Sequence, residues 1–500
     1  MLRTSDVKAY CEREPQFDDM ICSLRAISKQ PKGMLKETRE VVALARKFND
    51  RVVRPYTAEL DRKMQEDPDY LPRDFVEEAN RWGLYTLWIP RIFGGKGYSL
   101  PSICHFLEEI TSVCAAMANL IGVHYLGVAT LIATWNTNII QRVFNDVVEG
   151  EKNGKPCLVS LALTEPGAGT DIEETDLMDR GNITCHARKV DGGYRVNGSK
   201  VFISNGHLST WHMLFSFADL GKPSSNLVML AIKTETEGFS FGRKEHKMGQ
   251  KGCPASELRF DDCFIPDSVV CFDPAQASKL ARTRTDTTMQ LIDYVFSASR
   301  AGVGAFGTGV ARGAYEAALK FASETEVCGK QLINHEWAQC MLAEMNKNII
   351  GARNTYVESN YANGLDGMYK TLQVKPIYYL VRYAPAVVLK KLVPPFMESR
   401  LGTWLMRKIH CDWQTDAEIE RTSGLGSLAK ITGTDAGVKN AQMALDLMGQ
   451  AGLRQEWIAE KHLRDAKLMQ IYEGTNQLNR LNLFKCLGGR HLPQMSVFTD

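Results

Sequence analysis

Apolar residues change their period twice along this chain, and that double switch constrains the fold more than any single residue does. From about residue 37 to 150 the repeat is helical. Val41, Val42, Leu44, Ala45 and Phe48 form one stripe, and Phe106, Leu107, Ile110 and Val113 another. Residues 115–135 continue as a long, Gly/Ala-rich apolar helix expected to be buried. At Pro156 short apolar runs take over: 158–163, 194–204, 214–217, 228–232 and 257–264, separated by Gly, Asn, Asp and Pro turns, which predicts strands. Helical spacing returns from about 276 to 487. The pattern predicts an α+β multidomain chain. A polar extension (1–36) precedes an N-terminal helical domain (37–155), a middle antiparallel β-barrel-like domain (156–270) and a C-terminal helical bundle (271–500).

Five hundred residues at net charge +2 supply ample core and predict no strong pull on nucleic acid. The thirteen cysteines fall neither in Cys-x-x-Cys pairs nor at metal-ligand spacing, so they are expected to be reduced core residues with no metal site. The N-terminal residues lack an apolar signal core, and no uninterrupted run reaches the roughly 18 apolar residues of a membrane span. A cytoplasmic protein is expected. One stretch departs from this. Between Met368 and Arg421, Lys370, Lys375, Arg382, Lys390, Lys391, Arg400, Arg407 and Lys408 interleave with Tyr378, Tyr379, Tyr383, Phe396 and Trp404, and four prolines break any long helix. Such a mixture suits a peripheral membrane or partner-docking surface, or else a cap that buries its aromatics and solvates its lysines.

Near the C-terminal end, Tyr472-Glu473-Gly474-Thr475-Asn476-Gln477 places one carboxylate at a helix boundary. Gly474 breaks the preceding helix, and Thr475 or Asn476 caps the next. A glycine beside a carboxylate lets a ligand approach closely, and a dried site would raise the carboxylate's pKa towards that of a general base. A helix-start acid of no chemical role has the same local pattern.

Further stretches carry a resemblance. Thr164-Glu165-Pro166-Gly167-Ala168-Gly169-Thr170-Asp171, then residues 198–206 (Gly-Ser-Lys-Val-Phe-Ile-Ser-Asn-Gly), then 248–253 with 260–266, and finally 469–477, follow one another in order. Together they resemble the motifs of the acyl-CoA dehydrogenase family of flavoproteins, from about residue 37 to 487. The resemblance implies FAD as cofactor and α,β-dehydrogenation of an acyl-CoA thioester, with hydride passing to flavin N5 and electrons to an electron-transferring flavoprotein. It implies Glu473 as the base that takes the α-proton. It implies flavin contacts from Leu161, Leu163, Thr164, Gly169, Thr170, Phe202, Ile203, Ser204, His335, Gly449, Thr475 and Gln477. Substrate contacts are implied for Thr170, Arg300, Tyr472 and Gly474. Ser299 stands where some relatives carry the base, which leaves Glu473 as the candidate. A homodimer or homotetramer is implied, because FAD spans the subunit boundary.

Some positions depart from the pattern: Thr325 where arginine is usual, Cys328, Glu336 after His335, and Gln450 between Gly449 and Gly452. A lost arginine–phosphate contact costs about 1.5–3 kcal/mol. Two alternatives follow: an acyl-CoA oxidase, or a partner subunit of a hetero-oligomer whose own FAD site is incomplete.

Overall fold

The computed structural model describes residues 31–489 and, outside that range, Ser5, Ser23, Ala26, Leu492, Met495, Val497 and Phe498. Most of the extension expected over 1–36 therefore lies outside the described residues. Its last four are already helical, in α1 (Gly33–Phe48). A π-turn, Asn49–Val53, joins α1 to α2 (Arg54–Glu66), and α3 (Arg73–Arg81) follows. The N-terminal layer is completed by α4 (Pro101–Thr111), α5 (Ala115–Ala133) and α6 (Thr137–Lys152).

Helix α5 is apolar on nearly every side because it packs against protein over most of its surface and faces an apolar cavity over the rest. It is long and apolar enough to cross a membrane, yet 83% of its most apolar window is buried. Its neighbours include the first strand and a long C-terminal helix. The polar atoms it carries are satisfied inside: His124 Nε2 meets the Tyr85 carbonyl at 3.0 Å, and its Nδ1 meets the Val159 amide at 3.2 Å.

The strands are β1 (Val159–Ala162), β2 (His186–Val190), β3 (Gly193–Ser204), β4 (Trp211–Phe217), β5 (Leu227–Lys233), β6 (Phe239–Lys244), β7 (Ala255–Pro266) and β8 (Val270–Phe272). They pair in the order β6-β7-β3-β2-β4-β5-β8, with β1 beside β4. Most ladders are antiparallel, but β1 runs parallel to β4, and β2 meets β4 in parallel at His186 and Phe217. The sheet is thus mixed rather than purely antiparallel. β4 and β5 are buried almost throughout, whereas β7 alternates buried and exposed positions, as a strand with one wet face must.

The C-terminal layer is built on α7 (Arg284–Glu324), α8 (Glu336–Leu365) and α12 (Asp416–Met448), followed by α13 (Ala459–Met469) and α14 (Asn476–Leu487). Thr283 caps α7, and Thr415 with Glu418 forms a capping box on α12. α7 and α12 approach until their backbones touch. A Cβ placed on Gly433 would lie 2.3 Å from the Gly304 carbonyl oxygen, and one on Gly307 would lie 2.2 Å from the Gly433 carbonyl carbon. Only glycine permits that separation.

Between α8 and α12 lie α9 (Lys375–Tyr383), α10 (Ala386–Glu398, with Pro394 and Pro395 inside it) and α11 (Arg400–Arg407). They strap onto the N-terminal layer. Arg382 pairs with Glu37 at 3.1 Å, Gln141 donates to Glu398 at 2.6 Å, and Arg407 donates to the Thr134 and Cys271 carbonyls. The mixed basic and aromatic stretch is divided between the two expected arrangements. Arg382 and Arg407 turn inward and Tyr378 is buried, while Leu380, Tyr383, Val387, Leu401 and Trp404 are 59–68% exposed.

Candidate active site

Between the sheet and the helices is a cavity of about 620 Å³. Its apolar wall is drawn from α4, α5 and α7, including Leu107, Val123, Leu126 and Phe296. Tyr369, from the segment between α8 and α9, also lines it. Trp135, Tyr294, Met368, Tyr369 and Cys411 pack as one buried cluster behind that wall.

Glu473 lines the cavity from the turn between α13 and α14. Its backbone is left-handed (φ 56°), as is that of Gly474 (φ 74°). For a non-glycine residue this conformation costs of order 1–3 kcal/mol and persists only where the surroundings enforce it. Here three side chains hold the turn by its carbonyls. Arg300 Nε donates to the Glu473 oxygen at 3.3 Å, Asn479 Nδ2 donates to the Glu473 and Gly474 oxygens at 3.2 and 3.0 Å, and Lys430 Nζ donates to the Gly474 oxygen at 2.7 Å. Thr475 caps α14 by accepting from the Leu478 amide at 3.2 Å. The carboxylate itself accepts from Ser299 Oγ at 2.6 Å. Burial pushes the Glu473 carboxyl above the ordinary range, against the opposing pull of the Ser299 hydrogen bond, Arg300 and Lys430.

The loop after β1 is held by its own glutamate. Glu165 forms a fully buried pair with Lys200 of β3 at 2.8 Å, and its second oxygen accepts from the Thr184 and Cys185 amides at 2.6 and 3.0 Å. Lys200 also donates to the Leu163 carbonyl, and the Val201 amide to that of Thr164. Neither role was apparent in the sequence. The pairing aligns the end of β1 with residues 201–204. Leu161, Leu163, Thr164, Gly169, Thr170, Phe202, Ile203 and Ser204 then line one side of the cavity. Phe202 has a left-handed backbone (φ 59°) and is 57% exposed, presenting a bare aromatic ring to the cavity.

Tyr472, Glu473, Gly474 and Thr475 line the cavity as well. Four expected contacts do not. Arg300 is 2% exposed and lies behind Glu473, paired with Glu173 at 3.1 Å, so its expected substrate contact gives way to support of the turn. Gln477 points outward on α14. His335 and Gly449 flank a separate apolar cluster at the far end of α7 and α12, where His335 Nε2 meets the Val327 carbonyl at 2.9 Å. That end of α7 is about 37 Å from Ser299 by helical rise. Glu173 and Lys430 belong to the site and carry no local sequence signal, and Ser299, singled out in the sequence only as the position where some relatives carry the base, donates to Glu473. Among the described residues no group of His, Cys, Asp and Glu is arranged to hold a metal.

Two helical layers thus flank a mixed sheet, and a turn of left-handed backbone holds a carboxylate over the apolar cavity. Family profiles of acyl-CoA dehydrogenases match in chain order: the N-terminal domain over residues 36–151, the middle domain over 160–263 and the C-terminal domain over 288–366 and 410–487. The chain belongs to the acyl-CoA dehydrogenase family. The unmatched interval, 367–409, closes before the expected end at 421, because residues 416–421 are the first turns of α12. The probable acyl-CoA dehydrogenase fadE25 of Mycobacterium leprae is 25% identical over 452 residues, covering 90% of this chain and 95% of that protein. A chain in the structure of the electron transferring flavoprotein of Acidaminococcus fermentans superposes with a TM-score of 0.69 at 22% identity, covering 90% of this chain and 98% of that one. A glutaryl-CoA dehydrogenase from Mycobacterium smegmatis, in complex with FADH2, superposes with a TM-score of 0.63 at 18% identity, covering 90% and 94%.

Proposed function

We propose that this protein is an FAD-dependent acyl-CoA dehydrogenase in which Glu473 removes the α-proton of a bound thioester. The observation that carries this is the Glu473 carboxylate, raised in pKa by burial, standing over an apolar cavity on a turn whose carbonyls three side chains hold. The cavity's residues fit a flavin ring: Phe202 offers an aromatic face, while Thr164 and Thr170 offer hydroxyls beside the small Gly169. When bound, the flavin supplies the acceptor for the hydride leaving the β-carbon. The chain supplies the rest. Its apolar wall buries the acyl group and excludes water, which raises the basicity of Glu473. The Glu473 peptide N–H stabilises the negative charge developing on the thioester oxygen. Glu473→Gln should bind FAD and acyl-CoA normally and lose α-proton abstraction; full anaerobic bleaching of the flavin by that variant would remove Glu473 as the base.

His335 and Gly449 are too distant within one chain to touch the same flavin as Phe202, and this supports a homodimer or homotetramer in which a second copy presents them. Electrons then leave for an electron-transferring flavoprotein, a partner in keeping with the likeness to a chain of such a structure. Reoxidation of the reduced flavin faster in air than by that flavoprotein would favour an oxidase instead. Purified protein that stays colourless after FAD is added would favour a hetero-oligomer.

A cytoplasmic protein that attaches peripherally to an anionic membrane through α9–α11 is the further element of this proposal. Leu380, Tyr383, Val387, Leu401 and Trp404 project outward, with exposed Lys375, Lys391 and Arg400 set among them. The mixture of apolar and cationic side chains complements anionic headgroups over acyl chains. Equal cosedimentation of wild type and Val387→Asp/Trp404→Asp with anionic vesicles would rule this out.

A further inference from the structure

We propose that Glu173 is a positioning residue for the reaction: a second buried carboxylate that neutralises Arg300 and thereby leaves Glu473 free to accept a proton. This rests on Glu473 being the base. Glu173 ends the single turn Thr170–Glu173 that follows the loop after β1, and it lines the same cavity as Glu473. Its Oε2 lies 3.1 Å from Arg300 Nη2, and a Cβ built on Gly474 would lie 2.5 Å from that same oxygen. Glu173 thus lies against the residue next to the base, where only a glycine leaves it room, while its guanidinium partner holds the base's own carbonyl.

The charged groups around it come from every packed element. Arg300 reaches it from α7, Lys430 from α12 and Glu473 from the turn before α14. Asp435 faces Lys430 from further along α12. The Lys485–Glu174 pair, 3.1 Å apart, and Asp293 complete the surroundings.

The inner set of two carboxylates and two cations is neutral before proton transfer. When the α-carbon–hydrogen bond breaks and its proton passes to a Glu473 oxygen, the set becomes singly positive. At that moment the bond's electron pair is delocalising toward the thioester oxygen. Without Glu173 the set would be positive from the start. The ionised form of Glu473 would then be over-stabilised and a weaker base. Burial pushes the Glu173 carboxyl up, and the facing Arg300 and Lys430 pull it back toward its ionised form.

The test uses the flavin-loaded enzyme with Glu173→Gln and Glu173→Asp. Two rates are followed against pH: anaerobic bleaching of the flavin by acyl-CoA, and deuterium uptake at the α-carbon of a thioester that has no β-hydrogen. For Glu173→Gln the acid limb of both profiles should move to lower pH by about one unit, with a plateau about tenfold lower, since a pKa difference of one unit is a tenfold change. Glu173→Asp should keep the wild-type limb. An unmoved limb in Glu173→Gln, or an equal movement in both variants, overturns the proposal. Should Glu173→Gln fail to fold, Arg300→Gln must move the limb upward, because Glu173 then faces Glu473 unneutralised; an unmoved limb there overturns it equally. Deuterium uptake that survives Glu473→Gln would instead remove the base itself, whatever Glu173 does.

Discussion

Removing the Ser299 hydroxyl should raise the basicity of Glu473 in a measurable way. Ser299 Oγ lies 2.6 Å from Glu473 Oε2, and its hydrogen bond lowers the carboxyl's pKa against the upward push of burial. Hydrogen bonds to a charged partner contribute about 1.5–3 kcal/mol. At about 1.4 kcal/mol per pH unit, losing one in Ser299→Ala moves the acid limb upward by about one to two units. The sign follows from which form is stabilised: the hydroxyl donates to the ionised carboxylate, so deleting it favours the protonated form. Where the rate still rises with pH, α-proton abstraction should fall about 10- to 100-fold. On the alkaline plateau it should be unchanged or faster. Stopped-flow bleaching of the bound flavin across pH reads both regions. A limb that stays in place or moves downward would show that the Ser299 contact does not govern the carboxylate, and the electrostatic account of the site would fail with it.

Other perturbations test other parts of the structure. Glu165→Gln leaves Lys200 charged, buried and unpaired; breaking such a pair costs about 3–5 kcal/mol, so a lowered thermal midpoint together with weakened flavin retention is expected on calorimetry and absorbance. Gly433→Ala forces α12 off the Gly304 carbonyl and should destabilise by about 1–3 kcal/mol, read as an earlier denaturation midpoint. Tyr369→Ala opens the cavity wall, and kcat/KM should shift toward bulkier acyl groups across a thioester panel, while Glu473 chemistry on small substrates is retained.

The periodicity of the chain was enough to place the helical layers, the middle sheet and five of its strands. The three strands it did not reveal have plain reasons. β2 (His-Ala-Arg-Lys-Val) is charged because half of it faces solvent, β6 is mostly half-exposed, and β8 is three residues long. Strands of that kind are recognisable only by the neighbours they pair with. Glu473 was legible because its stretch is the last of several family-like motifs in order; the glycine, cap and carboxylate alone fit a helix-start acid as well. Its controllers were not: Ser299 is 174 residues away and Arg300 is 173, joined to it only by the packing of α7 against the turn. The motif around Thr164 was legible as a whole, but the work of Glu165 inside it was hidden, since its partner Lys200 lies in another strand. Arg300 could be singled out by its motif, yet only the fold shows that it is buried, paired with Glu173 and bonded to the Glu473 carbonyl.

The segment 367–409 leaves the bundle beside Asp366 and returns just before α12, and its two ends are tied together: Gln414 donates to the Asp366 carbonyl at 2.8 Å, and Arg421 pairs with the Asp366 carboxylate at 2.9 Å. A detour whose ends are so stitched is a cassette. Its first residues are nonetheless anchored on the helix that carries Ser299 and Arg300, since Met368 and Tyr369 pack with Tyr294 and Val295 of α7. Because it also lends Tyr369 to the cavity while exposing Tyr383, Val387 and Trp404 on its far side, a change within this one segment bears on a wall of the cavity and on an outer surface together.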